Sequence, residues 1–333
     1  MRAIVCREYG PPEKLVIEER PLPQARAGEV VVQVNAAGVN FTDLLVTQGR
    51  SQLKLKPPFT PGVEVAGVIC EVGTGVSALR MGMRVLATGY YGGYAEAVAF
   101  REHEVLPIPD AMPFTTAAAF YIASNTSLYA LQDRARLQPG ESLLVLGAGS
   151  GAGLTAIEIG KALGARVVGA ASSTEKLELA RKHGADATLH YPLGPLDLDA
   201  QKAFAAQLRE LSGGAGFAVI YDGVGGTYAE PALRSLAKRG RYLAIGFAAG
   251  VPLVPLSVAL FRNADIMGIE LSAPEQREPR RNPAGAARLL QWFEEGVLRP
   301  EITATFPLEQ AAAAQRLLLD RRATGRVVLT MAR

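Results

Sequence analysis

Cysteine is almost missing from this chain. Cys6 and Cys70 are the only two in 333 residues, which excludes a disulfide framework and a four-cysteine zinc lobe. Histidine is equally scarce, and His103, His183 and His190 are too scattered to form the grouped ligand set of a closed metal site. No sign of charge dominates either. Thirty-five Lys and Arg stand against 32 Asp and Glu, leaving a formal +3, and the basic residues occur singly rather than as a stripe. A nucleic-acid partner is therefore not expected. Long hydrophobic runs are also lacking. The uncharged stretch Ala111–Gln132 is broken by Pro113 and Asn125, and Tyr242–Phe261 by Gly246, Gly250, Pro252 and Pro255, so neither offers the roughly 20 apolar residues of a membrane helix. The residues before Arg7 and Glu8 hold no apolar run longer than a few residues, so no signal peptide is expected. The expectation is a reduced, cytoplasmic protein with no membrane partner.

What is present is apolar and rich in turns: 49% hydrophobic residues, 35 Gly and 21 Pro. At about 150 residues per domain the length suggests two domains. The first 110 residues read as β-rich, with short β-branched runs at Glu29–Val34, Val63–Val72, Met83–Thr88 and Tyr94–Phe100 bounded by Gly or Pro. The texture then changes. From about Phe114 the chain is Ala-rich and helical, and from Ser142 short apolar strands alternate with helices. Strands are predicted at Ser142–Gly149, Ala165–Ala171, Ala187–Tyr191, Phe217–Asp222, Arg241–Gly246 and Ala264–Leu271. Helices are predicted at Gly151–Leu163 and at Thr174–His183, the latter capped by Ser173. That alternation points to a parallel, doubly wound sheet. Two more helices, near Ala284–Glu295 and Leu308–Asp320, precede a last strand, Arg326–Thr330. A single strand cannot stand alone, so it is expected to return to the N-terminal β domain.

The strongest chemical signal is Val145–Ala165, VLGAGSGAGLTAIEIGKALGA. A buried strand, a glycine turn, a helix and a second strand are the context a dinucleotide fingerprint requires. Glycines let the backbone approach a pyrophosphate at the helix N-terminus. The spacing fits neither a Walker loop, because Gly160-Lys161 is followed by Ala162, nor a nucleophile elbow, because Ala148 and Ala152 flank Ser150. The second strand selects the dinucleotide. NAD sites carry an acid about 20 residues beyond the turn, whereas here the strand ends Gly169-Ala170-Ala171-Ser172-Ser173, with Lys176 after it and Tyr191 closing the third strand. Hydroxyls and a lysine suit a 2′-phosphate; helix capping by Ser173 beside a solvated Lys176 is the structural alternative.

With these residues in view, the chain resembles, over nearly its whole length, the zinc-free quinone oxidoreductase branch (zeta-crystallin-like proteins) of the medium-chain dehydrogenase/reductase superfamily. The matching stretches are Ala36–Asp43 (AAGVNFTD), Pro58–Gly73 (PFTPGVEVAGVICEVG), Met81–Val85 and Gly92–Glu96, then Ala171–Asp186 and Leu317–Leu329. The resemblance implies an α/β chain with a discontinuous GroES-like catalytic domain (1–119 and 266–333) and a Rossmann domain (120–265). It further implies NADPH as cofactor, hydride transfer to a quinone or enone, and a homodimer joined through the Rossmann sheet edge. By motif position, Asn40 and Thr126 would lie near the nicotinamide as positioning residues. The turn Gly149, Ser150, Gly151 and Ala152 would meet the pyrophosphate. Ser172, Lys176 and Tyr191 would surround the adenosine phosphate, and Val224, Gly246 and Phe247 would flank the nicotinamide side.

Two departures stand out. Ser150 and Ala152 occupy positions where the branch usually has glycine, so either the Ser150 hydroxyl joins the phosphate site or the cofactor sits differently. An aromatic common after the first motif is absent, with Leu45 and Ser51 in that region. Zinc-dependent relatives place Cys and His where this chain has Asn40 and Val63, so no metal is expected. Donors to an oxyanion are sought among Asn40, Thr126, Tyr90, Tyr91 and Tyr94, with water as an alternative proton source. Asn40 and Asp43 have a competing reading as turn and cap residues. Rival functions are an enoyl-thioester reductase and a non-catalytic NADPH-binding protein.

Overall fold

A computed structural model of the chain describes residues 1–271, 278–279 and 282–332. Strands β1 (Arg2–Cys6) and β2 (Leu15–Glu19) form an antiparallel hairpin. They precede β3 (Glu29–Val39), helix α1 (Phe41–Thr47), β4 (Glu64–Val72), β5 (Arg84–Thr88), β6 (Ala97–Arg101) and β7 (Val105–Pro107). Helices α2 (Phe114–Ala117) and α3 (Tyr121–Leu128) follow. A second series runs β8 (Ser142–Leu146), α4 (Gly151–Ala162), β9 (Arg166–Ala171), α5 (Thr174–Lys182), β10 (Ala187–His190) and α6 (Leu198–Leu211). It continues through β11 (Phe217–Asp222), α7 (Ala229–Arg234), β12 (Leu236–Ala244), α8 (Leu256–Arg262) and β13 (Asp265–Gly268). The chain closes with α9 (Pro283–Glu294), β14 (Ile302–Pro307), α10 (Ala311–Leu319) and β15 (Arg326–Thr330).

Two compact units result: Met1–Asn125 with Ser272–Gln291 and Pro300–Arg333, and Thr126–Leu271 with Trp292–Arg299. In the first, β3 is the organising strand. It pairs with β4 along one edge and with β6 and then β15 along the other. Its valines Val30, Val31, Val32 and Val34 are all buried, because both faces of this long strand are covered. The last strand thus docks antiparallel on β3. The tail also holds a strand that the sequence pattern did not suggest: ITATFP forms β14, parallel to β15.

The second unit is a parallel sheet in the order β10-β9-β8-β11-β12-β13. Helices on its faces explain why β8, Ser142–Leu146, has no polar alternation: Leu143, Leu144, Val145 and Leu146 are buried on both sides, each worth about 1.5–3 kcal/mol. Strand β13 is shorter than Ala264–Leu271. The uncharged window 242–261 divides into the end of β12, a loop and α8, which stops at Asn263 in the left-handed conformation, φ 49°. The segment Ala273–Pro283, a candidate shield for the sheet edge, falls largely outside the described residues. No helix among the described residues is long and apolar enough to cross a membrane.

Candidate active site

Because every strand of the second unit is parallel, all C-terminal ends open on one edge. The strand order reverses between β8 and β11, and ligands of such sheets lie at that switch point. Strand β8 ends at Leu146, and Ser150 caps α4: its hydroxyl donates to the Gly147 carbonyl (2.8 Å) and accepts from the Gly153 amide (3.1 Å). The hydroxyl is therefore engaged by the turn itself. The amides of Gly151 and Ala152 open the helix, where no intrahelical acceptor exists. Gly149 is required by close approach. A methyl group there would lie 2.4 Å from Lys176 Cβ and 2.9 Å from its Cα, so the absent side chain lets the start of α5 pack on the turn.

That packing brings Lys176 beside Gly149. Ser172 is half-buried just beyond the end of β9, while the Ser173 hydroxyl accepts from the Lys176 amide as the cap of α5 (3.3 Å). Tyr191 follows β10 and is 2% exposed, its ring packed 4.7 Å from Tyr228 and 5.8 Å from Phe204 between centroids. On the other side of β8, Val224 follows β11 and is buried, while Gly246 and the exposed Phe247 follow β12. The two loops are tied together: Ala249 N donates to Val224 O (2.7 Å) and Gly226 N to Gly250 O (2.8 Å). Asp222, the last residue of β11, accepts from Val224 N (2.7 Å), Gly225 N (2.9 Å) and the Tyr242 hydroxyl. Burial pushes its carboxyl above the ordinary value and, with the Asp222 charge, pushes the Tyr242 hydroxyl up as well.

In the first unit Asn40 caps α1. Its main-chain N donates to Asp43 Oδ2 (2.8 Å), and its side-chain Nδ2 donates to Glu64 Oε2 (3.4 Å). Asp43 is thus a capping residue. Tyr94 drops out of the candidate donors: it is fully buried, and its hydroxyl donates to Asp43 Oδ2 (3.0 Å). Tyr90 is half-buried and Tyr91 exposed. Glu64 is fully buried, and Oε1 accepts from the first amides of α3, Tyr121 N (2.5 Å) and Ile122 N (3.0 Å). Burial raises its carboxyl to about 7, against the lowering effect of these amides and of the Arg326 charge. Thr126 is half-buried on α3 and belongs to the second unit. Val63 is 2% exposed, and no group of three or more His, Cys, Asp or Glu suited to a metal occurs among the described residues.

Glu64, Asp222, Tyr242 and Arg326 escaped the sequence reading. The available signal was an acid at the end of an otherwise apolar strand, VEVAGV for Glu64 and FAVIYD for Asp222.

Comparison with known proteins now adds to this geometry. Residues 26–110 match the alcohol dehydrogenase GroES-like domain, and residues 151–284 match the zinc-binding dehydrogenase family. The chain is 36% identical to quinone oxidoreductase-like protein 2 of Bos taurus, covering 99% of this chain and 92% of that one. Among solved structures it is similar to a mycobacterial protein complexed with NADPH (TM-score 0.90, 31% identity, 99% of both chains). It is also similar to Escherichia coli quinone oxidoreductase complexed with NADPH, with TM-score 0.89 and 26% identity over 99% of this chain and 100% of that one.

Proposed function

The chain belongs to the quinone oxidoreductase family of the medium-chain dehydrogenase/reductase superfamily, and we propose that it is a zinc-independent, NADPH-dependent reductase of quinones or α,β-unsaturated carbonyls. The observation that carries this reading is the succession along one sheet edge: Tyr191, then Ser172 with Lys176, the glycine turn, Val224, and Gly246 with Phe247, following the order β10-β9-β8-β11-β12. A dinucleotide laid across the switch point meets these residues from its adenosine end to its nicotinamide end.

The parts fit such a cofactor. The Gly151 and Ala152 amides and the N-terminus of α4 offer donors to a pyrophosphate. Ser172 and Lys176 face an end of β9 that carries no acid, so a 2′-phosphate meets a hydroxyl and a cation instead of a carboxylate. When bound, NADPH supplies the hydride. The chain's own contribution is positioning and hydrogen bonding. The family resemblance assigns positioning roles to Asn40, in the first unit, and to Thr126, in the second, and a donor at either residue would steady the oxyanion left on the substrate. Zinc is not invoked because Asn40 and Val63, an amide and an alkyl group, offer neither thiolate nor imidazole.

NADPH oxidation over a panel of quinones, enones and enoyl thioesters tests the reading. Wild type is expected to prefer NADPH to NADH, and Lys176→Ala to lose about 10- to 100-fold in kcat/KM with NADPH, the worth of charge-assisted bonds of about 1.5–3 kcal/mol. A strong chelator should leave turnover unchanged. Equal use of both cofactors, or activity that zinc restores, would sink the assignment. Turnover confined to enoyl thioesters would move the substrate class, and NADPH binding without any turnover would favour a non-catalytic role.

The assembly we propose is a homodimer through β13, the edge strand of the sheet. The stretch that leads into it exposes Val251, Leu253 (93%), Leu256, Leu260 and Phe261 (78%), and the strand itself exposes Ile266. Among the described residues β13 pairs only with β12; such an edge calls for a partner, and a two-fold axis pairs the edge with itself. Light scattering is expected to give about twice the 35.2 kDa of one chain, and Met267→Pro to shift it toward monomer or aggregate. A wild type that stays monomeric across concentration would rule the interface out.

A further inference from the structure

We infer that Asp222 is the positioning residue for the nicotinamide half of the cofactor site, acting through the two loops that follow β11 and β12. The inference rests on the cofactor reading above. Asp222 is 1% exposed, and its bonds reach both loops. Its carboxylate gathers the Val224 and Gly225 amides and the Tyr242 hydroxyl. Its main-chain carbonyl accepts from Ile245 N (2.9 Å) and Gly246 N (3.3 Å).

One residue thus holds the chain reversal after β11 and the start of the loop after β12. The bonds between Val224 and Ala249 and between Gly226 and Gly250 lock the two loops into one body. The fit is close. Gly225 has φ +67°, and a methyl group on it would come within 2.7 Å of the Gly250 carbonyl and 3.0 Å of Phe247 Cδ1. Strand order supplies the direction of the effect. Both loops lie across β8 from Ser172 and Lys176, so a shift at Val224–Gly225 and at Gly246–Gly250 changes the ground under the nicotinamide first and reaches the adenosine end through Tyr228, farther along, whose ring packs on Tyr191.

The test separates the two ends by ligand. Fluorescence titration measures NADPH binding, and calorimetry measures adenosine 2′,5′-bisphosphate, which lacks the nicotinamide. Asp222→Ala is expected to weaken NADPH at least tenfold while the bisphosphate Kd stays within twofold. Asp222→Asn keeps an oxygen that accepts both loop amides and should recover most of that loss. If Asp222→Ala does not fold, Gly225→Ala drives a methyl group into the Gly250 carbonyl with the carboxylate intact, and it is expected to show the same selective loss. Equal weakening of both ligands, or of neither, overturns the inference. A wild type that binds the bisphosphate but not NADPH, or neither, overturns the cofactor reading instead.

Discussion

Each unit buries one carboxylate at the end of an apolar strand and ties it to backbone amides, but the two differ in how far their bonds reach. Asp222 closes β11 and takes the amides two and three residues ahead of it, Val224 and Gly225. Glu64 opens β4 and takes amides 57 and 58 residues away, Tyr121 and Ile122, together with the side chain of Asn40. Their counter-groups differ as well. Glu64 faces the charge of Arg326, whereas the third partner of Asp222 is the neutral Tyr242 hydroxyl. The first kind of acid takes its amides from the loop just ahead of it and reaches only the neighbouring strand for Tyr242, whereas the second takes its amides from a distant segment of the same unit. Burial makes both expensive to leave unpaired.

The largest expected effect breaks the local case. Asp222→Ala leaves the Tyr242 hydroxyl and two amides without their acceptor. At about 1–3 kcal/mol for each buried group left unsatisfied, partly relieved by water reaching the loop, the cost is about 3–5 kcal/mol. Urea denaturation should show a lower midpoint at an unchanged m-value. A loss under about 1 kcal/mol would mean that the loop holds without its acid.

The distant case is read through pH. Glu64 holds its proton more tightly folded, at about 7, than at its ordinary 4.5. Its stabilising contribution is therefore complete below about 4.5 and fades as pH rises through 7. Gln cannot ionise. Between pH 5 and 8 the unfolding free energy of Glu64→Gln should gain about 2–3 kcal/mol relative to wild type. Parallel pH profiles for the two proteins would show that Arg326 and the α3 amides compensate the buried charge fully.

Ser150 sharpens the comparison by removing burial from it. It anchors a turn through a local bond just as Asp222 does, but at an exposed position. Ser150→Ala should cost about 1 kcal/mol, the ordinary worth of an N-cap, read as a small fall in Tm. A cost as large as that of Asp222→Ala would show that reach and burial do not separate these sites.

The same distinction explains what could be read in advance. Helices α4 and α5 announce themselves through neighbouring residues: the glycine turn opens α4, and Ser173 caps α5. The strands β8, β9 and β11 are short apolar runs with turn residues at their ends. Local periodicity carries all of these. Strand β14 is not legible locally because ITATFP, which follows Pro300 and ends in Pro307, is a strand only by virtue of pairing with β15, and that pairing is not a local property. Tyr94 was misjudged for the same reason. A tyrosine in a glycine-rich stretch looks like a surface donor until the fold buries it against Asp43.

By itself the sequence determined the parallel-sheet unit, its glycine turn and the lack of an acid at the end of β9, because each follows from residues within one helix turn or strand of one another. Only the tertiary structure decided that Lys176 packs on Gly149, that the Ser150 hydroxyl closes its own turn, and that Glu64 and Asp222 become buried anchors. The physical reason is that burial, not residue type, sets what a polar group does. An exposed carboxylate is solvated and exerts little constraint. The same carboxylate sealed among apolar strands must find donors, and the donors it finds are fixed by which chain segments the fold brings to it.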